Sequence, residues 1–285
     1  MTAMQIFFIV GAQKSGTTWL QRSLNGLDGV HCLGEGHFID RLVQPFAETA
    51  RSYNQMMQLV AERVYDGNGF YSIIPDTEFR QVMREWILKI LLRNVNADPQ
   101  SILAIGDKTP ANSHHIPTLR SLFPEARFVH MLRDGRDAAV SAFHHQQRIL
   151  QQLNQADRDA SIDSGAAEMF LKWAHTTRAV LRAEETGQEM HTVRYEAMLN
   201  DPAQCLKACI HHIIPDHHWD EREIHAAVEA SSFRRQSGRQ PGVIDNSAFL
   251  RKGQAGSWKT ELQSQTFSQI SPEDKALLKR LGYDS

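Results

Sequence analysis

The chain has 285 residues, of which 41% are hydrophobic, and its 31 Lys and Arg residues nearly balance 33 Asp and Glu residues. This composition excludes disorder for most of the chain, and the formal charge of -2 excludes a general basic surface for nucleic acid or membranes. Three sparse cysteines and an N-terminus without a signal-peptide pattern or a membrane-length apolar run predict a cytoplasmic protein in a reducing compartment.

The hydrophobic pattern predicts strands that alternate with helices. In chain order it predicts a strand at Ile6–Val10, a helix at Thr17–Leu24, a strand at Val30–Cys32, helices within 40–65 and 78–94, a strand at Ile102–Ile105, a helix at Pro117–Leu122, a strand at Arg127–Leu132 and a helix at Arg136–Leu150. The rest follows as a helix at Ala166–Glu185, a strand at His191–Arg194, helices at Pro202–Ile213 and Asp220–Ala230, a long loop at 236–256 and a helix at Pro272–Leu281. This order predicts a three-layer α/β/α fold with a mainly parallel central sheet, and residues 1–285 are expected to form a single domain because no linker interrupts them.

A glycine-containing loop joins the first predicted strand to the first predicted helix. Gly11 and Gly16 enclose Lys14, and the backbone amides of such a junction, together with the helix N-terminus, attract anions. The loop is P-loop-like, but Lys14 precedes Gly16 by two residues, whereas nucleoside triphosphatases place the lysine directly after this glycine. Taken alone, the loop could also be a glycine turn with a solvated lysine.

Residues 13–19, QKSGTTW, resemble the 5′-phosphosulfate-binding loop of sulfotransferases that use 3′-phosphoadenosine 5′-phosphosulfate (PAPS). The one departure is Gln13, where the family usually has proline. The resemblance implies that Lys14 contacts the phosphosulfate, that Thr17 and Thr18 hold the 5′-phosphate and that Trp19 stacks on adenine. It also places Gln13, Ser15 and Gly16 in the cofactor site. From the residues alone, Trp19 could equally pack in the core.

A second pattern follows the predicted strand at Arg127–Leu132. Arg133 stands at the carboxyl end of this strand, where ligands bind in parallel α/β sheets. Arg133 and Ser141 match the arginine and serine that bind the cofactor 3′-phosphate in the same family. The other charged residues here are expected to form an exposed helix start: Asp134, Arg136 and Asp137.

A third segment, residues 251–259 with the sequence RKGQAGSWK, resembles the family pattern Arg-Lys-Gly-x-x-Gly-x-Trp-Lys. The resemblance implies that Arg251, Lys252 and Gly253 bind the 3′-phosphate. Two weaker matches imply that Tyr195 meets the adenine and that Ser231 and Phe233 border the nucleotide. Tyr195 could equally be an aromatic core residue at a strand end.

The catalytic base is predicted from one departure from the small-molecule branch of the family and from a resemblance to another branch. The small-molecule branch has Lys-Thr-His with a histidine base, whereas this chain has Pro110 at that position after Lys108. Residues 34–40, GEGHFID, instead resemble the Lys-Glu-x-His-Phe-Phe-Asp segment of the glycan-modifying branch. This resemblance implies Glu35 as the base. Residues 108–110, KTP, are similar to the Lys-Ser/Thr-Pro of the same branch, which implies Lys108 as a second sulfuryl-binding cation. His37 is the reserve candidate, since a neutral imidazole is a competent base near pH 7; Glu35 could also be an exposed loop carboxylate.

The expected activity is sulfuryl transfer from PAPS to a hydroxyl or amine of an acceptor, with 3′-phosphoadenosine 5′-phosphate (PAP) as the product. The alternatives are a Mg²⁺-dependent P-loop kinase or nucleoside triphosphatase and a non-catalytic nucleotide-binding module. No metal and no nucleic-acid or membrane partner is expected, and the adjacent histidine pairs at 114–115, 144–145, 211–212 and 217–218 are assigned to the surface or to packing. The acceptor is expected to be a small molecule, a sugar or a phenol, bound by segments within 38–100, 144–165 and 236–250. Oligomeric state stays open, because the family's dimerisation segment is not found after Trp258.

Overall fold

The computed structural model describes residues 4–69, 71–155, 161–267 and 270–283. Five strands form one sheet in the order β2-β3-β1-β4-β5, and every neighbouring pair is parallel. The strands are β1 (Gln5–Val10), β2 (Val30–Gly34), β3 (Ala104–Lys108), β4 (Arg127–Leu132) and β5 (Met190–Arg194). The predicted parallel α/β class is confirmed.

Helices cover both faces of this sheet. They are α1 (Thr17–Leu24), α2 (Gln44–Val64), α3 (Asp76–Arg93), α4 (Ile116–Leu122), α5 (Gly135–Gln152), α6 (Ile162–Glu185), α7 (Tyr195–Asn200), α8 (Pro202–Ile213), α9 (Glu221–Ser231), α10 (Phe233–Ser237), α11 (Trp258–Glu261) and α12 (Pro272–Arg280). A π-helical turn, Phe38–Val43, precedes α2, and 3-10 turns occupy Pro99–Ser101 and Pro110–His114. The short helices α7, α10 and α11 were not expected. In the described ranges, no helix is both long enough and apolar enough to cross a bilayer.

The central strand β1 separates the hydrophobic core into two layers, because successive side chains of a strand point to opposite faces. Phe7 and Ile9 pack with residues of α1, α8 and α9. Ile6 and Phe8 pack on the other face with residues of α3 and α4. A further apolar cluster joins α5, α6 and α12. These layers account for the continuous apolar run from which the first strand was predicted.

The third strand lies further along the chain than predicted, at Ala104–Lys108 instead of Ile102–Ile105. Its polar end is buried: the Asp107 carboxylate accepts hydrogen bonds from the Gly36 amide (3.0 Å), the Thr109 hydroxyl (2.7 Å) and the Asn112 side chain (3.0 Å). An apolar pattern could not detect a strand that ends in satisfied polar residues. The shift puts Lys108 at the carboxyl end of β3.

The sheet order places a topological switch point beside β1. From β1 the chain passes to β2 on one side, and it later returns to β4 on the other side. Val10, the last residue of β1, pairs with His130 of β4. Loops that leave the carboxyl ends of β1 and β4 therefore start next to each other, at the place where parallel α/β folds bind ligands. The predicted long loop is also present, as residues 238–257 between α10 and α11, while residues 236–237 complete α10.

Candidate active site

A cavity of about 600 Å³ lies at the carboxyl ends of the strands. Its wall contains residues from the segment that follows each strand, from Lys14 after β1 to Tyr195 after β5. The predicted site residues in this wall are Gln13, Lys14, Gly16, Thr17, Thr18, Trp19, Glu35, Arg133, Ser141, Tyr195, Ser231, Phe233, Arg251, Lys252 and Gly253. Ser15, His37 and Lys108 are the predicted residues that are not part of it.

The loop after β1 leaves the amides at the start of α1 available to an anion, while those of Gly11 and Ser15 bind the Ser113 hydroxyl and the Ala12 carbonyl. Gly16 is the N-cap of α1 with φ of 101°, and it supplies no capping side chain. The first amides of a helix have no acceptor within the helix, and they carry the positive end of its dipole. A Cβ at Gly16 would lie 2.7 Å from the Tyr195 ring, so both the backbone conformation and the close approach of this ring require glycine.

Lys14 is the cation at the centre of this loop. Burial, followed by the positive charge of Arg133, lowers the pKa of Lys14 to about 8. Its Nζ lies 4.5 Å from the centre of the Phe249 ring. Part of the Lys14 population is therefore neutral at mildly alkaline pH, and a nearby anion would favour its charged form.

Arg133 joins three segments of the cavity wall. Its guanidinium donates to the carbonyl oxygens of Lys14 (3.1 Å) and Gln254 (3.0 Å), and it lies 4.1 Å from the centre of the Tyr195 ring. Its buried Nε has no protein partner, and neither has the buried Ser15 hydroxyl. A phosphate group beside Arg133 could therefore accept a hydrogen bond from this free Nε–H as well as pair with the positive charge.

The two predicted aromatic contacts of the nucleotide pack against each other. Trp19 and Tyr195 meet edge to face with centroids 5.7 Å apart, and both line the cavity. Tyr195 is buried, whereas Trp19 is half-buried against the apolar cluster of α1, α8 and α9. Each residue thus packs against the core and also lines the cavity, and contact with the adenine stays a prediction for both.

The charged start of α5 is buried, which corrects the expectation of an exposed helix start for Asp134, Arg136 and Asp137. Asp137 accepts hydrogen bonds from the backbone amides of Gly256 (2.6 Å) and Trp258 (3.1 Å). Arg136 lies 3.9 Å from the centre of the Trp258 ring and pairs with Asp134 at 2.9 Å. The C-terminal loop therefore covers this helix start, a contact over more than a hundred residues that local sequence does not reveal.

Arg251 and Lys252 line the cavity from the loop between α10 and α11. Arg251 forms a bidentate salt bridge with Glu261, with distances of 2.8 and 2.9 Å, and Lys252 Nζ lies 3.7 Å from the same carboxylate. The next residue, Gly253, has φ of 67°, and a Cβ there would lie 2.5 Å from the Phe233 ring. Phe233 thus fixes the backbone of this segment. The predicted partner Ser231 has its hydroxyl engaged with the Val228 carbonyl (3.0 Å) and with Ser23 (2.8 Å).

Glu35 and His37, the two predicted bases, have different surroundings. Both residues adopt positive φ, of 56° and 48°. Gly34 pairs with Lys108 across β2 and β3, which brings Glu35 beside the Lys108 ammonium at 2.7 Å. The Glu35 side chain is 58% exposed and faces the cavity, whereas Lys108 is only 4% exposed. The hydrogen bond from Lys108 lowers the pKa of Glu35. The imidazole of His37 pairs with Asp40 at 3.1 Å outside the cavity wall.

His145 also lines the cavity, and it lies in the segment 144–165 that was expected to bind the acceptor. Its Nδ1 lies 3.2 Å from an Arg148 amino group, and its ring meets Phe249 at 5.9 Å. Burial, then the charges of Lys14 and Arg148, lowers the pKa of His145 to about 4, so the imidazole is neutral near pH 7. Its position was detectable: His145 follows Ser141 by four residues, which places both on one helix face. His144 lies beside the Glu261 carboxylate, with its Nε2 2.8 Å from one oxygen.

The expected acceptor segments contribute unequally. Pro241, Phe249 and Leu250 line the cavity from 236–250, and His145 does so from 144–165. No described residue of 38–100 reaches it, because α3 packs on a sheet face and α2 has no buried residue. Positions 70 and 156–160, which belong to the expected segments, lie outside the described residues. Across the described ranges, no group of three or more His, Cys, Asp or Glu side chains could hold a metal ion.

Known proteins share both the sequence pattern and the fold. Protein-tyrosine sulfotransferase 1 of Danio rerio is 24% identical over 292 residues, covering 99% of this chain and 73% of the relative. The human protein-tyrosine sulfotransferase 1 is 28% identical over 138 residues, which cover 48% of this chain and 34% of the relative. The match with the human protein thus spans about a third of that relative's length.

Solved structures give the same fold at low identity. The sulfotransferase domain of the Synechococcus PCC 7002 olefin synthase superposes with a TM-score of 0.59 at 17% identity, covering 100% of this chain and 97% of that domain. Mouse sulfotransferase SULT7A1, solved with PAP, has a TM-score of 0.54 at 15% identity, covering 97% of this chain and 82% of that one.

A sequence model described as the Sulfotransferase family matches residues 6–220, a span that begins in β1 and includes the β1 loop, Glu35, Lys108, Arg133 and Tyr195. Enzymes of this family take the sulfuryl group from PAPS, so the expected enzyme class and cofactor are confirmed at the level of the family. Because the match covers most of the chain, this protein belongs to the sulfotransferase family.

Proposed function

We propose that this chain transfers the sulfuryl group of PAPS in line to a hydroxyl or amine of an acceptor, with Glu35 as general base. The observation that carries the proposal is the single cavity wall that combines the β1 loop, Arg133, the 251–253 segment and Glu35. Anion-binding groups and one exposed carboxylate share this wall. A nucleotide-binding module that only senses its ligand would have no use for the carboxylate.

The residues present fit a nucleotide with phosphates at both ends. The amides at the start of α1 and the Lys14 ammonium suit the 5′ end. Arg133, Ser141, Arg251 and Lys252 suit a 3′-phosphate, and the unsatisfied Nε of Arg133 supports that assignment. When bound, PAPS supplies the sulfuryl group and a phosphate leaving group. In this proposal Lys14 stabilises negative charge on the leaving oxygen.

Glu35 can act as a base only if Lys108 releases its carboxylate. Its carboxylate accepts a hydrogen bond from Lys108, which lowers the pKa and the basicity of Glu35. If Lys108 turned to a sulfuryl oxygen, Glu35 would lose that partner and become more basic. It could then accept the proton of the acceptor hydroxyl. Lys108 therefore serves both as a cation for the sulfuryl group and as a control on the base.

The acceptor class is inferred from the cavity residues that are not assigned to the nucleotide. Phe249, Leu250 and Pro241 give it apolar surface, and the neutral imidazole of His145 adds one polar group. This mixture suits a hydroxyl on an apolar or aromatic frame, such as a phenol, and a sugar or small alcohol is the next choice. Relatives named protein-tyrosine sulfotransferases make a tyrosine-containing peptide a necessary member of an acceptor screen.

The first test is calorimetric titration with PAP and with ATP, each with Mg²⁺ and with chelator. We expect chelator-insensitive binding of PAP, weakened about ten- to a hundredfold by Arg133→Ala, since hydrogen bonds to charged groups contribute about 1.5–3 kcal/mol each. Binding of Mg-ATP alone would instead support a kinase or nucleoside triphosphatase, and it would refute the proposed cofactor site.

The second test separates an enzyme from a binding module. Glu35→Gln should bind PAP normally but lower the turnover of an accepted substrate about a hundredfold or more, the usual contribution of a general base. The matched control is Glu62→Gln, the same change on the exposed face of α2, away from the cavity. Unchanged turnover in the Glu35 variant would remove this residue from the mechanism.

Two broader parts of the proposal concern the whole chain. We propose one domain for residues 1–285, supported by apolar clusters that all pack around one sheet or its covering helices. We also propose a reducing, cytoplasmic setting, supported by the free thiols of Cys32, Cys205 and Cys209. Burial raises the pKa of the Cys32 thiol, which disfavours its reactive thiolate.

A further inference from the structure

We propose that Glu261 is a positioning residue that holds the cationic end of the cavity in its nucleotide-binding arrangement. This inference rests on the proposed function, because it gives Arg251 and Lys252 a 3′-phosphate to bind. It assigns a role to a residue outside the segments that resemble the family. Glu261 would act through Arg251 without touching the nucleotide.

The contacts of Glu261 converge from three sides. Its two carboxylate oxygens accept from the two amino groups of Arg251 at 2.8 and 2.9 Å. His144 Nε2 lies 2.8 Å from one of these oxygens, and Lys252 Nζ lies 3.7 Å from the other. A bidentate pair fixes the plane of the guanidinium as well as its position. One carboxylate therefore sets the orientation of Arg251 and ties it to α5 through His144.

Glu261 stands behind the cations and not between them and the cavity. Arg251 and Lys252 are part of the cavity wall, whereas neither Glu261 nor His144 is among the described residues that form it. A carboxylate that competed with the phosphate would occupy the cavity side of Arg251. The remaining donors of Arg251 and the ammonium of Lys252 can thus face a ligand while Glu261 keeps its contacts.

The surroundings make this carboxylate a permanent charge. Glu261 and Arg251 have side chains that are 16% and 10% exposed, so water screens their attraction only weakly. Burial alone would raise the pKa of Glu261, but hydrogen bonds from His144 and Arg251 lower it to about 2. The Glu261 carboxylate is therefore charged throughout the pH range in which the protein would work.

Glu261 also lies at a position in the chain from which it can restrain the segment of Arg251 and Lys252. Glu261 ends α11, and the Asp137 carboxylate holds the start of that helix through the Trp258 amide. Ten residues separate Arg251 from Glu261, so the pair closes the segment that carries Lys252 and Gly253. Loss of the Glu261 charge would free Arg251 and widen the range of positions that this segment adopts.

The experiment measures two nucleotides that differ only in the 3′-phosphate, PAP and adenosine 5′-phosphate, by calorimetry. We expect Glu261→Gln to weaken PAP binding about tenfold while the affinity for adenosine 5′-phosphate stays within about twofold. Glu261→Asp keeps the charge and should recover most of the preference for PAP. The matched control is Glu185→Gln, which removes a comparable but exposed partner of Arg280, at 2.7 Å, and should change neither affinity.

A double-mutant cycle connects the effect to Arg251. If Glu261 acts through this arginine, adding Glu261→Gln to Arg251→Ala should cost no further PAP affinity. If Glu261→Gln lost affinity equally for both nucleotides, the substitution would have damaged the loop in general. If PAP binding were unchanged, the carboxylate would have no role, and if it were tighter, the carboxylate would compete with phosphate. Each of these results overturns the inference. If the wild-type protein binds both nucleotides equally, the proposed 3′-phosphate site itself fails, and the inference fails with it.

Discussion

Asp137 is the residue whose substitution gives the sharpest test of how the C-terminal loop is held. Its side chain is 2% exposed, and it accepts the backbone amides of Gly256 and Trp258 at 2.6 and 3.1 Å. Its carboxylate also lies 3.8 Å from the Arg133 guanidinium. Asp137→Asn preserves the size of the side chain but removes the charge and replaces one acceptor oxygen with a donor.

The expected decrease in the free energy of unfolding can be worked out from these contacts. Hydrogen bonds to a charged acceptor contribute about 1.5–3 kcal/mol each, and the asparagine oxygen can keep only one of the two amides. The new NH₂ group would face the other amide, which stays buried without an acceptor. Loss of the charge beside Arg133 adds to this effect, so we expect destabilisation of about 2–4 kcal/mol. At about 2–4 °C per kcal/mol for a chain of this size class, Tm should fall by roughly 4–16 °C.

The assay compares thermal unfolding and tryptic digestion of the Asp137→Asn protein with those of Asp220→Asn. Asp220 also accepts two backbone amides, those of Arg222 and Glu223, but it does so as the exposed N-cap of α9, where asparagine is as good as aspartate. We expect the Asp137 variant to unfold earlier and to be cleaved faster at Arg251 or Lys252. Equal Tm values for the two variants would refute a structural role for the buried charge.

Three further perturbations probe the cavity itself. Because the pKa of Lys14 is lowered to about 8, PAP affinity should fall as pH rises above 8, at a limiting tenfold per pH unit, and Lys14→Met should abolish that slope in calorimetric titrations. Gly16→Ala should destabilise the protein by about 2 kcal/mol or more, whereas Gly187→Ala, at positive φ in open space, should cost less; equal Tm shifts would argue against the contact with Tyr195. His145→Phe should raise the acceptor KM and leave PAP affinity unchanged, and a loss of PAP affinity would place His145 at the nucleotide instead.

The sign of the Lys14 effect differs between binding and stability. A lowered lysine pKa means that the unfolded chain binds more protons than the folded chain from about pH 8 to 10.5. Lys14 therefore contributes increasing stability as pH rises through that window, while nucleotide affinity falls over the same range. Measuring both trends on one protein separates titration of Lys14 from general alkaline unfolding, which would lower both.

The elements that sequence predicts well are those with a local cause. β1 could be predicted because five of its six residues are buried, and an apolar run of this length before a glycine loop indicates a parallel strand. β3 was placed too early, because its last residues are Asp107 and Lys108. Their burial depends on partners from the β2 loop and the following turn, and no local pattern reports such partners.

The cavity could be predicted wherever a glycine or a motif marks it. The β1 loop and the 251–253 segment both carry residues at positive φ, and their sequences identify them. Asp137 and Glu261 gave no such signal. Each is a single acidic residue on a helix, and its meaning comes from a backbone amide or a guanidinium that a distant segment brings to it. Sequence therefore indicated the groups that would face a nucleotide, but not the carboxylates that hold those groups.

The distribution of these carboxylates explains how a chain with net charge -2 can concentrate cations in one cavity. Two cations of the cavity wall pair with carboxylates, Arg133 with Asp137 and Arg251 with Glu261, and Lys108 pairs with Glu35 beside the wall. Among the described residues, no carboxylate lies within salt-bridge distance of Lys14, and this is the cavity lysine whose pKa is lowered, to about 8. Pairing fixes the positions of these three cations. Lys14 instead is buried and lies near other positive charges, so its own charge is stabilised most by an incoming anion. A group with that property is suited to respond to charge that develops during group transfer, because its interaction is strongest when the anion is present.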